Sequence, residues 1–304
     1  MSKKFRPIDY DIIYLSYDEP NAEKNYADLL NKVPWAKRVH GVKGSDAAHK
    51  ACAKLSETPR FTTVDGDNII REGFLNLEID MEKYPTLENS VISWCGYNIV
   101  NGLMYGNGGL KCWTVDFVMN MKTHEASDPK DKVGQVDFCW DNKYIQMNDC
   151  YSDVYNNATP FQAWRAGFRE GVKMSLDRGA KLTKVSVKEG IHWKNLHRLL
   201  IWCNVGADIE NGLWAMLGAR QGCYMTNLTD WDYRNVRDFD YLTEYWKEHM
   251  ESMLEPVIKE HMTFYERELR NNLDLDIVTF SAEQSKFFKK VYITHNRVDI
   301  IEND

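Results

Sequence analysis

The first seventy residues alternate between short apolar runs and segments with helical spacing, and this alternation constrains the fold most. Residues 11–17, 37–40 and 61–64 are runs of the kind found in strands. Residues 22–33 and 46–57, which lie between these runs, carry apolar side chains at helical intervals. Strand, helix, strand, helix and strand in this order predict one half of a parallel, doubly wound α/β sheet.

Two carboxylates stand one residue apart at the end of the third run, as Asp65-Gly66-Asp67. Side chains at positions i and i+2 of an extended backbone point to the same side, so both can bind one divalent cation that keeps open positions for a diphosphate. A plain turn after a strand explains the same residues, because Asp and Gly are common in turns. Only this pair follows a strand after a helix, whereas four further Asp-x-Asp pairs lie at 9/11, 230/232, 238/240 and 274/276.

The topology of the predicted sheet indicates where a ligand would bind. In open α/β sheets, ligands bind beyond the carboxyl ends of the parallel strands. We therefore expect the loops at 17–21, 41–45 and 65–68 to converge on one pocket.

Composition limits the classes of protein to which the chain can belong. The 304 residues are 43% hydrophobic and contain no run of about 18 apolar residues, so we expect neither a transmembrane helix nor a membrane partner. The N-terminus lacks an apolar signal core, and the seven cysteines are scattered without a Cys-x-x-Cys pair, which favours reduced thiols and a cytoplasmic location. A net charge of −7 disfavours a protein that coats nucleic acid but permits contact through a local patch.

Two further patterns provide candidate ligand groups. Residues 105–111 (Tyr-Gly-Asn-Gly-Gly-Leu-Lys) combine little side-chain bulk with several backbone N–H groups, so this loop can lie close to a sugar or a phosphate. A tight turn explains the same glycines equally well. Arg165 and Arg169 flank Gly167 at helical spacing with Glu170 adjacent, a pattern typical of a solvated face or an internal ion pair.

One stretch is basic within an otherwise acidic chain. Residues 178–198 carry six Lys or Arg side chains against a single acid, Glu189. This run predicts contact with a nucleic-acid backbone, with an aromatic ring to stack on a base, although a solvated basic face explains it equally. The predicted contacts are Lys181, Lys184, Lys188 and Trp193.

Residues 42–54 and 61–67 together resemble the nucleotide-sugar half of type-A-fold glycosyltransferases. In those enzymes a loop and helix with a polar-basic pair, here His49-Lys50, precede the strand that ends in Asp-x-Asp. The loop after the first strand, here Tyr17-Asp18, contacts the uracil base. Residues 94–111, 163–170 and 202–208 look like blocks of glycosyltransferase-like proteins from large tailed phages. Within that group the chain resembles the arabinosyltransferases that modify 5-hydroxymethylcytosine in DNA, over roughly residues 8–230.

The resemblance implies a type-A glycosyltransferase fold, Rossmann-like with a mostly parallel central sheet, over residues 1–235. A helical C-terminal extension would occupy residues 236–304. It also implies a metal-dependent enzyme in which Asp65 and Asp67 bind Mn²⁺ or Mg²⁺, with His192 or His197 as a further ligand. The residues implied to contact a UDP-sugar are Tyr17, Asp18, His49, Lys50, Asp65, Asn101, Gly108, Gly109, Lys111 and Arg165.

The implied reaction moves a sugar from a UDP-sugar, with arabinose as the closest suggestion, to the hydroxymethyl group of 5-hydroxymethylcytosine in DNA. If the reaction inverts configuration, a carboxylate must take the proton of the acceptor hydroxyl. Asp149 and Asp153 lie in a polar stretch before the Arg165 helix, and we predict Asp153 for this role ahead of Asp149. Retention stays open, as do a catalytically inactive sugar-nucleotide-fold binding protein and a transferase that acts on a glycan or a protein.

Overall fold

The structure is a computed structural model, and it describes residues 4–106, 108–121, 123, 142–182 and 186–292. The chain forms two compact units. Among the described residues, the first unit comprises 4–123 and 142–155, and the second comprises 156–292. The predicted contact Lys184 lies outside the described residues.

The first unit contains most of the predicted α/β alternation. Its strands are β1 (Lys4–Phe5), β2 (Asp11–Ser16), β3 (Lys37–His40), β4 (Arg60–Asp65), β5 (Asn68–Ile70), β6 (Ile79–Asp80), β7 (Val91–Asn98), β8 (Met104–Tyr105), β9 (Leu110–Thr114) and β10 (Tyr144–Val154). Its helices are α1 (Ala22–Lys32), α2 (Ser45–Leu55), α3 (Glu72–Leu75) and α4 (Val115–Asn120), with 3-10 turns at Pro7–Asp9 and Pro85–Asn89. The five segments predicted within the first seventy residues are confirmed.

The main sheet is mixed, which corrects the predicted mostly parallel sheet. Its strand order is β3-β2-β4-β9-β7-β10-β5, and β8 pairs with β7. Strands β3, β2 and β4 run parallel, as do β7 and β10, but β9 is antiparallel to both of its neighbours and β5 is antiparallel to β10. The physical reason lies in the connections. Helices α1 and α2 join the parallel strands, whereas the short loop after β7 reverses the chain into β8, and β9 then continues in that direction, antiparallel to β7.

Both faces of the sheet in the first unit are buried. Ile12 and Tyr14 pack with Val64 and Trp94 in one apolar cluster, while Ile13 packs in a second cluster. Successive side chains of β2 therefore enter different cores. This explains why residues 11–17 form a continuous apolar run instead of an alternating one.

The second unit is helical in its described part. Its helices are α5 (Pro160–Met174), α6 (Val187–Gly190), α7 (Trp193–Asn204), α8 (Gly212–Leu228), α9 (Phe239–His249), α10 (Glu255–Leu273) and α11 (Ala282–Val291), with a 3-10 turn at Tyr233–Arg237. Trp164 and Met216 share one core cluster with Trp246 and Met262. Helices on both sides of residue 235 thus share one core within this unit.

Two predictions from composition can be compared with the described residues. None of the helices described here is long and apolar enough to cross a membrane. The six cysteines within the described ranges are free thiols.

Candidate active site at the ends of strands β2 and β4

The turn that carries the two carboxylates is held by buried donors. Strands β2 and β4 are parallel and end together, with Leu15 opposite Asp65. The Tyr14 hydroxyl lies 2.7 Å from the carbonyl oxygen of Gly66, and Asn25 Nδ2 donates to the same oxygen at 3.0 Å. Both side chains are buried, so the backbone between the two acids has little freedom. The loops after β2 and β4 therefore begin side by side.

Three carboxyl groups influence one another at this turn. The Glu19 side chain reaches over the turn, and its Oε2 lies 2.5 Å from the position that a Cβ on Gly66 would take. Burial raises the pKa of Glu19, and the charges of Asp67 and Asp65 raise it further. Burial and the charge of Asp65 raise the pKa of Asp67 to about 6. Negative charge is therefore costly here in the absence of a cation.

Lys111 brings an ammonium group to the same place. Its Nζ donates to the carbonyl oxygen of Gly108 at 2.9 Å and lies 3.9 Å from Asp65 Oδ2. Burial raises the pKa of Asp65, and the Lys111 ammonium opposes this shift. In the described part of the chain, three carboxyl groups thus surround the turn with this one ammonium beside them. The excess of negative charge suits a divalent cation.

The glycine-rich loop packs directly against Asp65. A Cβ on Gly109 would lie 2.2 Å from the Asp65 Cβ and 2.5 Å from its Oδ2, so a side chain at this position would displace the carboxylate. The Asp65 backbone N–H also donates to the carbonyl oxygen of Gly109 at 3.1 Å. The structure therefore brings together Asp65, Asp67, Gly108, Gly109 and Lys111, which are five of the predicted site residues.

The donor set limits how a cation could be bound. Within the described ranges, no group of three or more His, Cys, Asp or Glu side chains could hold a metal ion. Asp65 and Asp67 would supply two carboxylates, and substrate phosphates and water would supply the other ligands, an arrangement common for Mg²⁺. His192 belongs to the second unit, where its Nδ1 accepts a hydrogen bond from the Lys194 backbone N–H at 3.2 Å as the N-cap of α7.

Other predicted nucleotide contacts have partners within the first unit. His49 is buried, with Nδ1 2.8 Å from the carbonyl oxygen of Ser45, and Lys50 Nζ forms an ion pair with Asp46 at 2.7 Å. Asn101 is also fully buried, and its Oδ1 accepts from the Leu103 N–H at 3.2 Å, which shapes the loop after β7. Tyr17 and Asp18 are exposed.

The two predicted proton acceptors differ in their surroundings. Asp153 lies opposite Ile69 in the pairing of β10 with β5, and its Oδ1 accepts from Arg71 Nε at 3.1 Å. The Arg71 guanidinium also lies over the Tyr97 ring, with 5.6 Å to the centroid. Asp149 is exposed on β10. The ion pair with Arg71 thus occupies one oxygen of the Asp153 carboxylate.

The predicted residues of the second unit are engaged in contacts within that unit. The Arg165 guanidinium lies over the rings of Phe161 and Phe239, 4.9 and 5.2 Å from their centroids. Lys181 Nζ donates to the carbonyl oxygen of Thr229 at 3.1 Å. Lys188 Nζ lies 3.4 Å from a carboxylate oxygen of each of two acids, Asp274 and Asp276, and the Trp193 side chain is exposed.

Sequence reasoning missed three residues that contact the predicted acids or the turn between them: Glu19 at Gly66, Asn68 at Asp67 and Arg71 at Asp153. Glu19 had a usable signal, because it lies in the loop after the first strand, where that reasoning already placed ligand contacts. Asn68 and Arg71 had none, since their partners Gly109, Ser152 and Asp153 lie more than 40 residues away in the chain.

Comparisons with known proteins add little to this geometry. No protein-family model matches the chain, and no curated protein matches it significantly. One similar solved structure is a glycosyltransferase involved in the glycosylation of the major capsid of PBCV-1, with 11% identity and a TM-score of 0.29, covering 49% of this chain and 94% of that chain. Another is HddC from Yersinia pseudotuberculosis, with 15% identity and a TM-score of 0.24, covering 46% and 69%. At these scores neither similarity assigns a function.

Proposed function

We propose that the chain is a glycosyltransferase that takes a sugar from a UDP-sugar with the help of Mn²⁺ or Mg²⁺. The observation that carries the proposal is the pair of carboxylates, Asp65 and Asp67, on a fixed turn at the carboxyl end of a parallel strand. Carboxyl groups exceed cationic groups there among the described residues, so a cation with a diphosphate would complete the charge balance. A bound cation would neutralise charge on the leaving diphosphate.

The residues around the turn have roles that follow from their positions. Lys111 lies close enough to Asp65 to meet a phosphate oxygen beside the cation. Because residue 109 is a glycine, the loop backbone can lie against Asp65 without a side chain that would displace the carboxylate. Tyr17 and Asp18 lie in the exposed loop after β2 and would contact the uracil base, as the resemblance implies.

For the acceptor, the resemblance supports the hydroxymethyl group of 5-hydroxymethylcytosine in DNA, with arabinose as the sugar. The base would have to leave the duplex stack to reach the donor. Exposed Trp193 could fill the resulting gap, and Asp153 or Asp149 would accept the proton. Lys188 counts against a DNA acceptor because its ammonium lies between two acids, and this favours a glycan or protein acceptor as the second candidate.

The experiment is incubation of DNA that contains 5-hydroxymethylcytosine with the purified chain, Mn²⁺ and a panel of UDP-sugars, followed by mass spectrometry of the nucleosides. We expect a pentose or hexose adduct that disappears with EDTA and in Asp67→Asn. Release of UDP from a UDP-sugar without any DNA adduct would move the glycan or protein acceptor ahead. UDP binding without release of UDP under any condition would indicate an inactive binding protein.

A further inference from the structure

We propose that Asn68 is a positioning residue, which fixes the Asp67 carboxylate and the glycine-rich loop in the arrangement that a cation and a diphosphate require. This inference rests on the proposed function, because it concerns the same pair of carboxylates. Neither the Asp-x-Asp pattern nor the glycine-rich loop includes Asn68, although it follows Asp67 directly in the chain.

Both ends of the Asn68 amide are engaged. Its Nδ2 donates to Asp67 Oδ1 at 2.6 Å. Its Oδ1 accepts from the Gly109 backbone N–H at 3.2 Å and from Ser152 Oγ at 2.9 Å. The residue is only 2% exposed, so these protein groups replace water around the amide.

The three contacts also determine which way the amide points. In the opposite orientation, the carbonyl oxygen would face the Asp67 carboxylate and the NH₂ group would face the Gly109 N–H, so two repulsive contacts would replace two hydrogen bonds. Asn68 therefore presents a donor to the acid and an acceptor to the loop. Neither aspartate nor an apolar residue can do both.

Through these contacts one amide links the surroundings of both acids. It binds the Asp67 carboxylate directly, and it holds Gly109, which packs against the Asp65 side chain. A hydrogen bond to a charged group is stronger than one between neutral groups, and it restricts the carboxylate to one rotamer. Residues that orient metal ligands in this way typically contribute about 10- to 100-fold to metal affinity.

The positioning role predicts a specific pattern of binding. Loss of the amide should weaken the effect of the cation on nucleotide binding and leave cation-free binding nearly unchanged. A residue that only supported the fold would, when replaced, weaken both. The ratio of UDP affinity with Mn²⁺ to UDP affinity with EDTA separates these two cases.

The experiment is calorimetric titration of UDP into wild type, Asn68→Ala and Ser152→Ala, each with Mn²⁺ and with EDTA. Ser152→Ala is the matched control, because it removes one hydrogen bond to Asn68 Oδ1 and leaves the bond to Asp67 intact. We expect Asn68→Ala to lower the Mn²⁺-to-EDTA ratio by about 10-fold or more, with UDP affinity in EDTA changed by less than about twofold. Ser152→Ala should keep the ratio of wild type.

Asn68→Ser provides a second variant without the amide if Asn68→Ala does not fold, and the same result is expected for it. Equal losses in Mn²⁺ and EDTA, or equal ratios in Asn68→Ala and Ser152→Ala, would overturn the positioning role. So would a chain in which both Asn68 variants are unfolded while Ser152→Ala folds, since the amide would then serve the fold itself. Equal UDP affinity of the wild type with Mn²⁺ and with EDTA would instead contradict the proposed function, and the inference with it.

Discussion

The acidic turn of the first unit and the basic run of the second unit both stood out in the sequence by charge, and folding treats them differently. At the turn, folding adds Glu19 to Asp65 and Asp67, and Lys111 is the ammonium beside them among the described residues. In the basic run, folding brings Asp274 and Asp276 to Lys188 from more than 80 residues away.

The difference shows what a local count of charges can and cannot predict. Residues 178–198 contain one acid, and that count omits the two acids that the segment after α10 contributes. At the turn, spacing indicated two carboxyl groups, and folding adds Glu19 as a third. The local count there underestimates the negative charge, whereas in the basic run it overestimates the net positive charge. Concentrated charge that stays uncompensated after folding is the stronger sign of a ligand.

The largest expected effect concerns the cation. Asp67→Asn removes one of two carboxylates while preserving size, and we expect UDP affinity in Mn²⁺ to fall by about 100-fold, because the cation loses a ligand. Calorimetry measures the effect. Asp238→Asn with Asp240→Asn is the matched control, since this pair has the same spacing and Asn can still cap α9. A loss in the control and none in Asp67→Asn would place the cation site elsewhere.

The pH dependence should reveal the uncompensated charge. Because Asp67 has a pKa of about 6, it is mostly protonated at pH 5 and mostly ionised at pH 7. Mn²⁺-dependent UDP affinity should therefore rise by about tenfold over this range, since a cation needs the ionised form. An affinity that is flat between pH 5 and pH 7 would contradict the shifted carboxylate.

In the cation-free protein, the free energy of unfolding should fall as pH rises through the pKa of Asp67, whereas Mn²⁺-dependent UDP affinity rises over the same range. A raised pKa means that the folded state keeps a proton that the unfolded state releases, so this stabilisation is present below about pH 4 and lost as pH rises through about 6. Asp67→Asn should remove that part of the decline. Chemical denaturation in EDTA at pH 4, 5, 6 and 7 measures the free energy of unfolding of both proteins. If it falls equally with pH in wild type and in Asp67→Asn, Asp67 does not cause the decline.

A smaller effect is expected from Lys50, which the resemblance assigns to the nucleotide and the structure pairs with Asp46. A pair of this kind within one helix is weak enough to exchange for a phosphate. Lys50→Ala should then weaken UDP and UDP-sugar binding equally, by about tenfold. Lys54→Ala, on the same helix and exposed, is the control. Unchanged UDP affinity in Lys50→Ala would remove Lys50 from the site.

The smallest expected effect concerns the basic run and DNA. Replacing Lys181, Lys184 and Lys188 by alanine together should flatten the salt dependence of DNA binding by roughly two to three units of log–log slope if all three contact phosphates. The pairing of Lys188 predicts less than one unit from Lys188→Ala alone.

Releasing Lys188 from its acids gives the complementary test. Asp274→Asn with Asp276→Asn should steepen the salt dependence by about one unit if the freed ammonium reaches a phosphate. Asp238→Asn with Asp240→Asn is the control, because it changes the net charge of the chain by the same amount. Identical slopes for these two double variants and the wild type would count against the basic run as a DNA contact.

The first seventy residues were predictable, because their strands and helices follow from local apolar spacing. The direction of β9 was not, since the chain reverses in the loop after β7, and the glycines between β8 and β9 resembled a ligand loop in the sequence. The glycine-rich loop does lie beside one of the predicted metal ligands, because Gly109 packs against Asp65.

For the candidate site, sequence patterns indicated the two aspartates and the glycine-rich loop beside them, but not the polar partners that hold them in place. Five pairs share the Asp-x-Asp spacing, and the position after a strand that follows a helix selected Asp65 and Asp67. Asn68 depends on Gly109 and Ser152, and the pairing of Asp153 with Arg71 depends on β5 lying beside β10, so neither has a local sequence signature. Partners that are distant in the chain decide which polar residues remain available for a ligand.

The most direct measurement of the central claim is X-ray diffraction at the manganese absorption edge from crystals soaked with MnCl₂ and UDP. The proposal predicts one anomalous peak within about 2.0–2.6 Å of carboxylate oxygens of Asp65 and Asp67 and bridged to the UDP diphosphate. Bound UDP with no anomalous peak at this turn, or a peak bound by other side chains, would contradict it.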